Sequence, residues 1–265
     1  MKTFKIGGVH PKENKLSEKS PIKVLALPKT AIIPLSQNLG APSNPIVNKG
    51  DKVKVGQLIA ESSSFISSHI HAPVSGTIAK IDEAIDSSGY KRKSIFIDVE
   101  GDEWLENIDK SNHLISDIRF SKEEIIAKIK DAGIVGLGGA TFPTHVKLMI
   151  PKGKKAECLI INGVECEPYL TSDHRLMIEK GDELMVGIQI IMKSIEVTKA
   201  YIGIENNKPD AIEHLTNLSK KYNGIEICPL KVKYPQGGEK QLIKAIIGRE
   251  VPSGKLPIEV GCVVQ

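Results

Sequence analysis

The chain has 265 residues, 40% hydrophobic and 26% charged, a balance that fits an ordinary globular protein and excludes a disordered or fibrous one. Its 36 basic and 32 acidic residues leave a net charge of +4, with Lys91-Arg92-Lys93 as the one short basic run, and aromatic residues make up only 4%. Neither a polyphosphate-binding stripe nor a base-stacking platform for nucleic acid is therefore expected.

The opening MKTFKIGGVH has glycines and a histidine where a secretory leader would place its apolar core, so a cytoplasmic protein is expected. The most apolar stretch, Leu184 to Met192, is interrupted by Gly187 and Gln189 and falls far short of the roughly 20 residues that cross a bilayer. Any membrane association is then expected to run through protein partners. Cys158, Cys166, Cys228 and Cys262 form no C-x-x-C pair, so reduced and mostly buried thiols are expected, with no metal site.

From about Ile22 to Val99, short apolar runs broken by turn residues (IKVLAL, TAIIPL, QLIAES, HIHAPVSGTIAKI, SIFIDV) read as strands. VNKGDKVKVGQLIAE followed by HIHAPVSGTIAKI resembles the barrel-sandwich fold of biotinyl and lipoyl carrier domains, with turns at Gly50, Gly56 and Gly76. Those carriers present a lysine at the tip between the two halves. Here Ser67-Ser68-His69 stands there, and no lysine occurs from Glu61 through Thr77, which argues against swinging-arm chemistry. His69 and His71 share a strand face and have the spacing of a metal pair, but no third ligand is near in sequence, which favours a structural role.

A polar linker, roughly Gly101 to Ser121, separates an N-terminal β domain (1–105) from a second domain (120–265). Ser121 and Glu124 form a capping box, and Ile125, Ile126, Ile129 and Ala132 follow at helical spacing before Gly133 ends the helix. Next comes Gly136-Leu-Gly-Gly-Ala-Thr-Phe-Pro-Thr-His-Val-Lys147. Its bare backbone amides and Lys147 suit a phosphate, and a flexible helix–strand connection explains the glycines equally well. It is no dinucleotide fingerprint: Thr141 stands at the last glycine and a helix precedes it.

Beyond this loop, ECLII reads as a strand, Asp182 to Ile195 as a helix, KAYIGI as a strand, Pro209 to Tyr222 as a helix, IEICPL as a strand and Glu239 to Ile247 as a helix. This alternation predicts an α/β fold: a mostly parallel sheet with helices on both faces and ligands at the carboxyl ends of its strands. Directly after ECLII, Asn162-Gly-Val-Glu-Cys-Glu-Pro168 offers Glu165 and Glu167 beside an amide side chain, a set that suits ribose or ribityl hydroxyls. Tyr234-Pro-Gln-Gly-Gly-Glu-Lys-Gln241 opens a helix, with Gly237 and Gly238 free of side chains where a flat ring or phosphate would lie. GREVPSGKL is not a P-loop, since five residues instead of four separate Gly248 from Gly254 and Leu256 stands where Ser or Thr would hold magnesium. No G-x-S-x-G elbow supports a hydrolase.

These three loops, in this order, resemble the flavin-binding domain of the flavoprotein subunit of respiratory complex I. KIGGVHPKENK, IPLSQNLGAP, GLGGATFPTHVKL, NGVECEPYLTSDHRLM and YPQGGEKQLI are similar to the C subunit of Rnf-type electron-transport complexes over nearly the whole chain. The resemblance implies a barrel-sandwich-like β domain, then an FMN-binding α/β domain, and electron transfer between NADH and FMN. It implies that Gly136, Gly138, Gly139 and Phe142 line the flavin and that Lys147 faces its phosphate. Asn162, Glu165 and Glu167 would border flavin and nucleotide, and Gly237, Gly238 and Glu239 would form the opposite wall. No residue is assigned as catalytic, because hydride transfer to a flavin needs no protein base. Leu137 and Val164 depart from an arginine and an aspartate of the complex I pattern. The family pattern runs on past Gln265 into a segment expected to carry 4Fe-4S clusters, and implies docking on membrane subunits at the cytoplasmic side. Flavoprotein relatives such as cobalamin reductase or the electron-transfer protein of proline reductase are the alternative, as is a non-catalytic binding module.

Overall fold

The computed structural model describes residues 1–137 and 139–265. Contacts divide the chain into two compact units. The β unit comprises Val24–His113 and Glu123–Lys147, and the α/β unit Met1–Lys23, Leu114–Lys122 and Leu148–Gln265. The expected ranges 1–105 and 120–265 follow sequence pattern, whereas the units follow packing.

In the β unit, alternation of apolar and polar residues produces β1 (Thr30–Pro34), β2 (Asn44–Pro45), β3 (Lys52–Val53), β4 (Leu58–Glu61), β5 (Ile70–His71), β6 (Gly76–Ile85) and β7 (Lys91–Val99). They form two antiparallel sheets, β1-β7-β6-β3 and β2-β4-β5. Ile59, Ile78, Ile95 and Ile97 are fully buried between them. Phe96 turns the other way, with the Lys80 ammonium 4.6 Å from its ring centre. Gly76 has φ +154°, and a Cβ there would lie 2.0 Å from Asp98 O, so this corner admits only glycine. The strand expected for IKVLAL does not form: residues 22–27 belong to no strand, and Val24 and Leu25 are 98% and 87% exposed. Its apolar run pairs with no strand, so composition alone misleads there.

The tip that corresponds to a carrier's lysine is built into the unit. Ser67 and Ser68 are buried, and Ser67 Oγ donates to Ala41 O at 2.9 Å. Ser68 Oγ donates to Gly133 O at 3.0 Å, just beyond α1 (Lys122–Asp131). Gly133 has φ +66°, and a Cβ on it would lie 2.3 Å from His69 O. The backbone after α1 thus sits directly on the tip. His69 Nδ1 accepts a hydrogen bond from Ser62 N at 3.1 Å, a structural use of that ring. A short α2 (Thr144–Leu148) closes this region, a helix too brief for its periodicity to show in the sequence.

In the α/β unit, β8 (Cys158–Asn162), β9 (Ala200–Glu205), β10 (Ile225–Leu230) and β11 (Cys262–Val264) form a sheet ordered β10-β9-β8-β11, parallel at every pairing. Between the strands lie α3 (Ser172–Glu179), α4 (Gly181–Ser194), α5 (Pro209–Ser219), α6 (Glu239–Ile247) and a 3-10 turn at Pro257–Val260. Cys158, Ile160, Cys228, Leu230, Cys262 and Val264 pack with Leu242, Ile243 and Ile246 of α6. At roughly 1.5–3 kcal/mol for each large side chain fully buried, this face is a main source of stability. Residues of opposite parity, Leu159, Ile202 and Ile204, are also fully buried; α4 contacts β8, α5 contacts β10, and the two helices touch each other. Among the described residues no helix is long and apolar enough to cross a membrane.

The amino-terminal residues complete this unit. Lys2 bridges Leu230 in parallel and Val9 bridges Tyr234 antiparallel. Phe4 is 6% exposed, with the Lys233 ammonium 4.1 Å over its ring.

Candidate functional site

In a parallel sheet the carboxyl ends of the strands share one edge, where the loops are free to vary. Here β8, β9 and β10 end at Asn162, Glu205 and Leu230, and hydrogen bonds join the loops that follow. Asn162 Nδ2 donates to Gly237 O at 2.8 Å. Lys208 Nζ donates to Val164 O and to Asn207 Oδ1, each at 2.9 Å, and Lys233 N donates to Glu205 Oε1 at 2.9 Å. A Cβ on Gly237 would meet Cys166 Sγ at 3.3 Å and Val164 Cβ at 3.5 Å. The acidic loop and the turn before α6 are thus brought together, and close packing is a reason for glycine at 237 independent of any ligand. Gly238 is the N-cap of α6, and a Cβ there would lie 2.5 Å from Gln241 Oε1; Glu239 is the first helical residue.

The two carboxylates of the acidic loop differ in use. Glu165 is 6% exposed with φ +50°, and its carboxylate accepts from Asp173 N at 2.6 Å, from His174 N at 3.4 Å and from Ser172 Oγ at 3.4 Å. It satisfies the open amides at the start of α3, where a negative charge is favoured by the helix dipole. Glu167, two residues on, is exposed. Cys166 between them is half-buried, and burial pushes its thiol up.

Behind the loop lies a buried charge cluster that sequence reasoning missed. Lys208 and Glu205 are each 1% exposed; burial pushes Lys208 down and Glu205 up, and each counters the other's shift by attraction. Asp173 is pushed up by burial and then by the neighbouring Glu165 charge. The amino-terminal Lys15 reaches the same loop: its Nζ donates to Glu165 O, Glu167 O and Leu170 O at 2.8, 2.9 and 2.6 Å. Gln236, 0% exposed, accepts from Phe4 N at 3.4 Å and donates to Lys231 O at 2.9 Å. Periodicity carries no signal for such contacts between distant residues.

The glycine-rich loop belongs to the β unit, where it joins α1 to α2; the helix–strand connection considered from sequence is a helix–helix connection. Gly136 N donates to Phe142 O at 3.0 Å, Val135 bridges Pro143, and Leu39 N donates to Ala140 O at 3.1 Å. Among the described residues, chain neighbours aside, none comes within 4 Å of a Cβ added at Gly139. Phe142 and Lys147 are half-buried, and Gly138 lies outside the described residues.

A parallel sheet with glycine and acidic turns at its carboxyl edge defines a cofactor-binding α/β domain, and the comparisons with known proteins agree. Residues 129–265 match the family described as the Nuo51 FMN-binding domain, to which the chain belongs, and residues 2–102 match the RnfC barrel sandwich hybrid domain. The chain is 47% identical over 269 residues to the C subunit of the proton-translocating ferredoxin:NAD(+) oxidoreductase complex of Clostridium ljungdahlii, covering 100% of this chain and 57% of that relative. It is 47% identical over 265 residues to the C subunit of the Na(+)-translocating ferredoxin:NAD(+) oxidoreductase complex of Acetobacterium woodii, covering 99% of this chain and 59% of that relative. The likeness to the Rnf-type C subunit read from the sequence is borne out, over a chain that spans less than two thirds of these relatives. Among solved structures, an NAD+-reducing [NiFe]-hydrogenase in the H2-reduced state aligns with a TM-score of 0.46 and 23% identity over 55% of this chain and 28% of that one, too slight a likeness to carry an argument.

Proposed function

We propose that the chain binds FMN and exchanges electrons between NAD(H) and that flavin, as the corresponding part of the C subunit of an ion-translocating Rnf-type complex. The observation that carries this reading is the acidic loop at the carboxyl edge of the sheet: its backbone is held by Lys15 and Lys208 and its inner carboxylate by α3, while Glu167 is left exposed. Such a loop presents a fixed acceptor to the hydroxyls of a ribose or ribityl chain. These acceptors suit the ribityl hydroxyls of FMN.

In this reading Glu167 hydrogen-bonds the nucleotide, and Asn162 and Glu165 keep the loop in register. Gly237, Gly238 and Glu239 supply a wall of backbone and carboxylate. Gly136, Gly138, Gly139 and Phe142 contribute flavin contacts and Lys147 a phosphate counter-charge, as the sequence resemblance implies. Bound FMN would supply the conversion between two-electron and one-electron transfer. The 4Fe-4S clusters and membrane subunits that complete the chain of carriers lie outside these residues, and docking on such subunits places the protein at the cytoplasmic face of the membrane. Anaerobic mixing with FMN and then NADH tests the proposal. Flavin retention followed by bleaching of the oxidised-flavin absorbance is expected; retention without bleaching removes the nicotinamide, and no retention removes the flavin.

A further inference from the structure

We propose that Lys15 is a positioning residue for the acidic loop, acting on nucleotide recognition through Glu167 without itself touching the ligand; this rests on the proposed FMN and NAD(H) site. A lysine ammonium has three N–H donors. All three are used here on one segment, to the carbonyls of Glu165, Glu167 and Leu170. Charge-assisted bonds of this kind are stronger than neutral ones, and their convergence on one nitrogen fixes the relative positions of the three carbonyls. The loop needs such a fixture, because Glu165 holds a left-handed backbone conformation that a non-glycine residue adopts only under constraint.

Lys15 is itself anchored on both sides. Asn14 N donates to Pro168 O at 3.0 Å, the hydroxyls of Ser17 and Thr171 are 2.7 Å apart, and Arg175 Nη1 donates to Glu18 O at 3.3 Å. Residues 14–18 therefore form a strap along the acidic loop and the start of α3, all within the α/β unit. The opposite end of the loop is tied by Lys208 to Val164 O. Between these two ties Glu167 is the exposed carboxylate, so its backbone position depends on Lys15 directly.

The test is steady-state reduction of ferricyanide by NADH in the FMN-loaded chain, with FMN affinity from fluorescence quenching and folding from circular dichroism and thermal melting. Lys15→Met is expected to raise the KM for NADH about tenfold, within the range a misplaced group costs, while the FMN Kd changes by less than about twofold. Lys15→Arg keeps the charge but cannot bring three donors to one point, so its KM is expected to rise about threefold, between wild type and Lys15→Met. A folded Lys15→Met variant with unchanged KM overturns the proposal, as does an equal rise in KM and FMN Kd, which marks general loosening. If Lys15→Met does not fold, Lys15→Arg decides: an unchanged KM overturns the proposal and a selective rise supports it. If the unaltered chain retains FMN and is reduced by NADH, failure of these expectations removes the role of Lys15 alone; if it does neither, the function falls and the role with it.

Discussion

The side-chain amide of Asn162 donates to the carbonyl of Gly237 at 2.8 Å, across 75 residues of chain. This bond joins the end of β8 to the turn that opens α6, and it explains why two segments with separate sequence patterns form one edge. Asn162→Ala removes the donor and leaves a half-buried carbonyl unpaired. A loss of about 1 kcal/mol is expected, read as a lower denaturant midpoint at unchanged slope.

The two carboxylates of the acidic loop separate stability from nucleotide handling. Glu165→Gln weakens the bonds to Asp173 N and His174 N and removes a charge from the start of α3, so a loss of roughly 1–2 kcal/mol is expected in thermal or denaturant melting. Glu167→Gln alters an exposed side chain, leaves stability within about 0.5 kcal/mol, and slows flavin reduction by NADH more than it weakens FMN binding. Equal losses of rate and FMN affinity, measured by stopped flow and fluorescence, remove Glu167 from the nucleotide.

Asp173 gives a pH signature. Burial and the Glu165 charge hold its pKa above 3.8 in the folded chain, so the fold favours the protonated form. The stability this provides is fully present below the unfolded pKa of about 3.8 and is lost as pH rises through the higher folded value. Asp173→Asn imitates the protonated form, so it is expected to melt higher than wild type at pH 7 and to lose that advantage towards pH 4. A constant difference across the range contradicts the placement.

Thiol reactivity should follow burial. Burial pushes Cys228 up to about 11 and Cys262 up to about 12, and raises Cys158 as well, so none offers appreciable thiolate near neutral pH. Cys166 is the half-buried one of the four. Timed iodoacetamide labelling followed by peptide mass analysis is expected to modify Cys166 first and the others only on unfolding.

Much of the architecture is legible because period and composition act locally. SIFIDV alternates and forms the inner and outer faces of β7, and EKQLIKAII has helical spacing and gives α6 at the expected residues, Glu239–Ile247. IKVLAL has the right composition for a strand but pairs with none, which composition cannot reveal. SDHRLM opens α3 with no capping side chain beside it, because the amides of Asp173 and His174 are satisfied by Glu165, eight and nine residues upstream. The acidic loop itself stands out as carboxylates after an apolar strand, but the division of labour between Glu165 and Glu167 depends on which one meets α3. Lys15 and Lys208 are invisible as site residues, since each is one lysine among many until the chain folds back.

The seat of Gly133 against His69 O, with Ser68 Oγ bonded to Gly133 O, has a bearing on how the molecule is divided. The two matched families leave residues 103–128 between them, and a cut made there would separate the glycine-rich loop from the surface on which the backbone after α1 rests. A shortened protein beginning near residue 114 would keep every residue of that loop and lose its foundation. The barrel sandwich, stripped of a carrier's reach, serves in this chain as masonry.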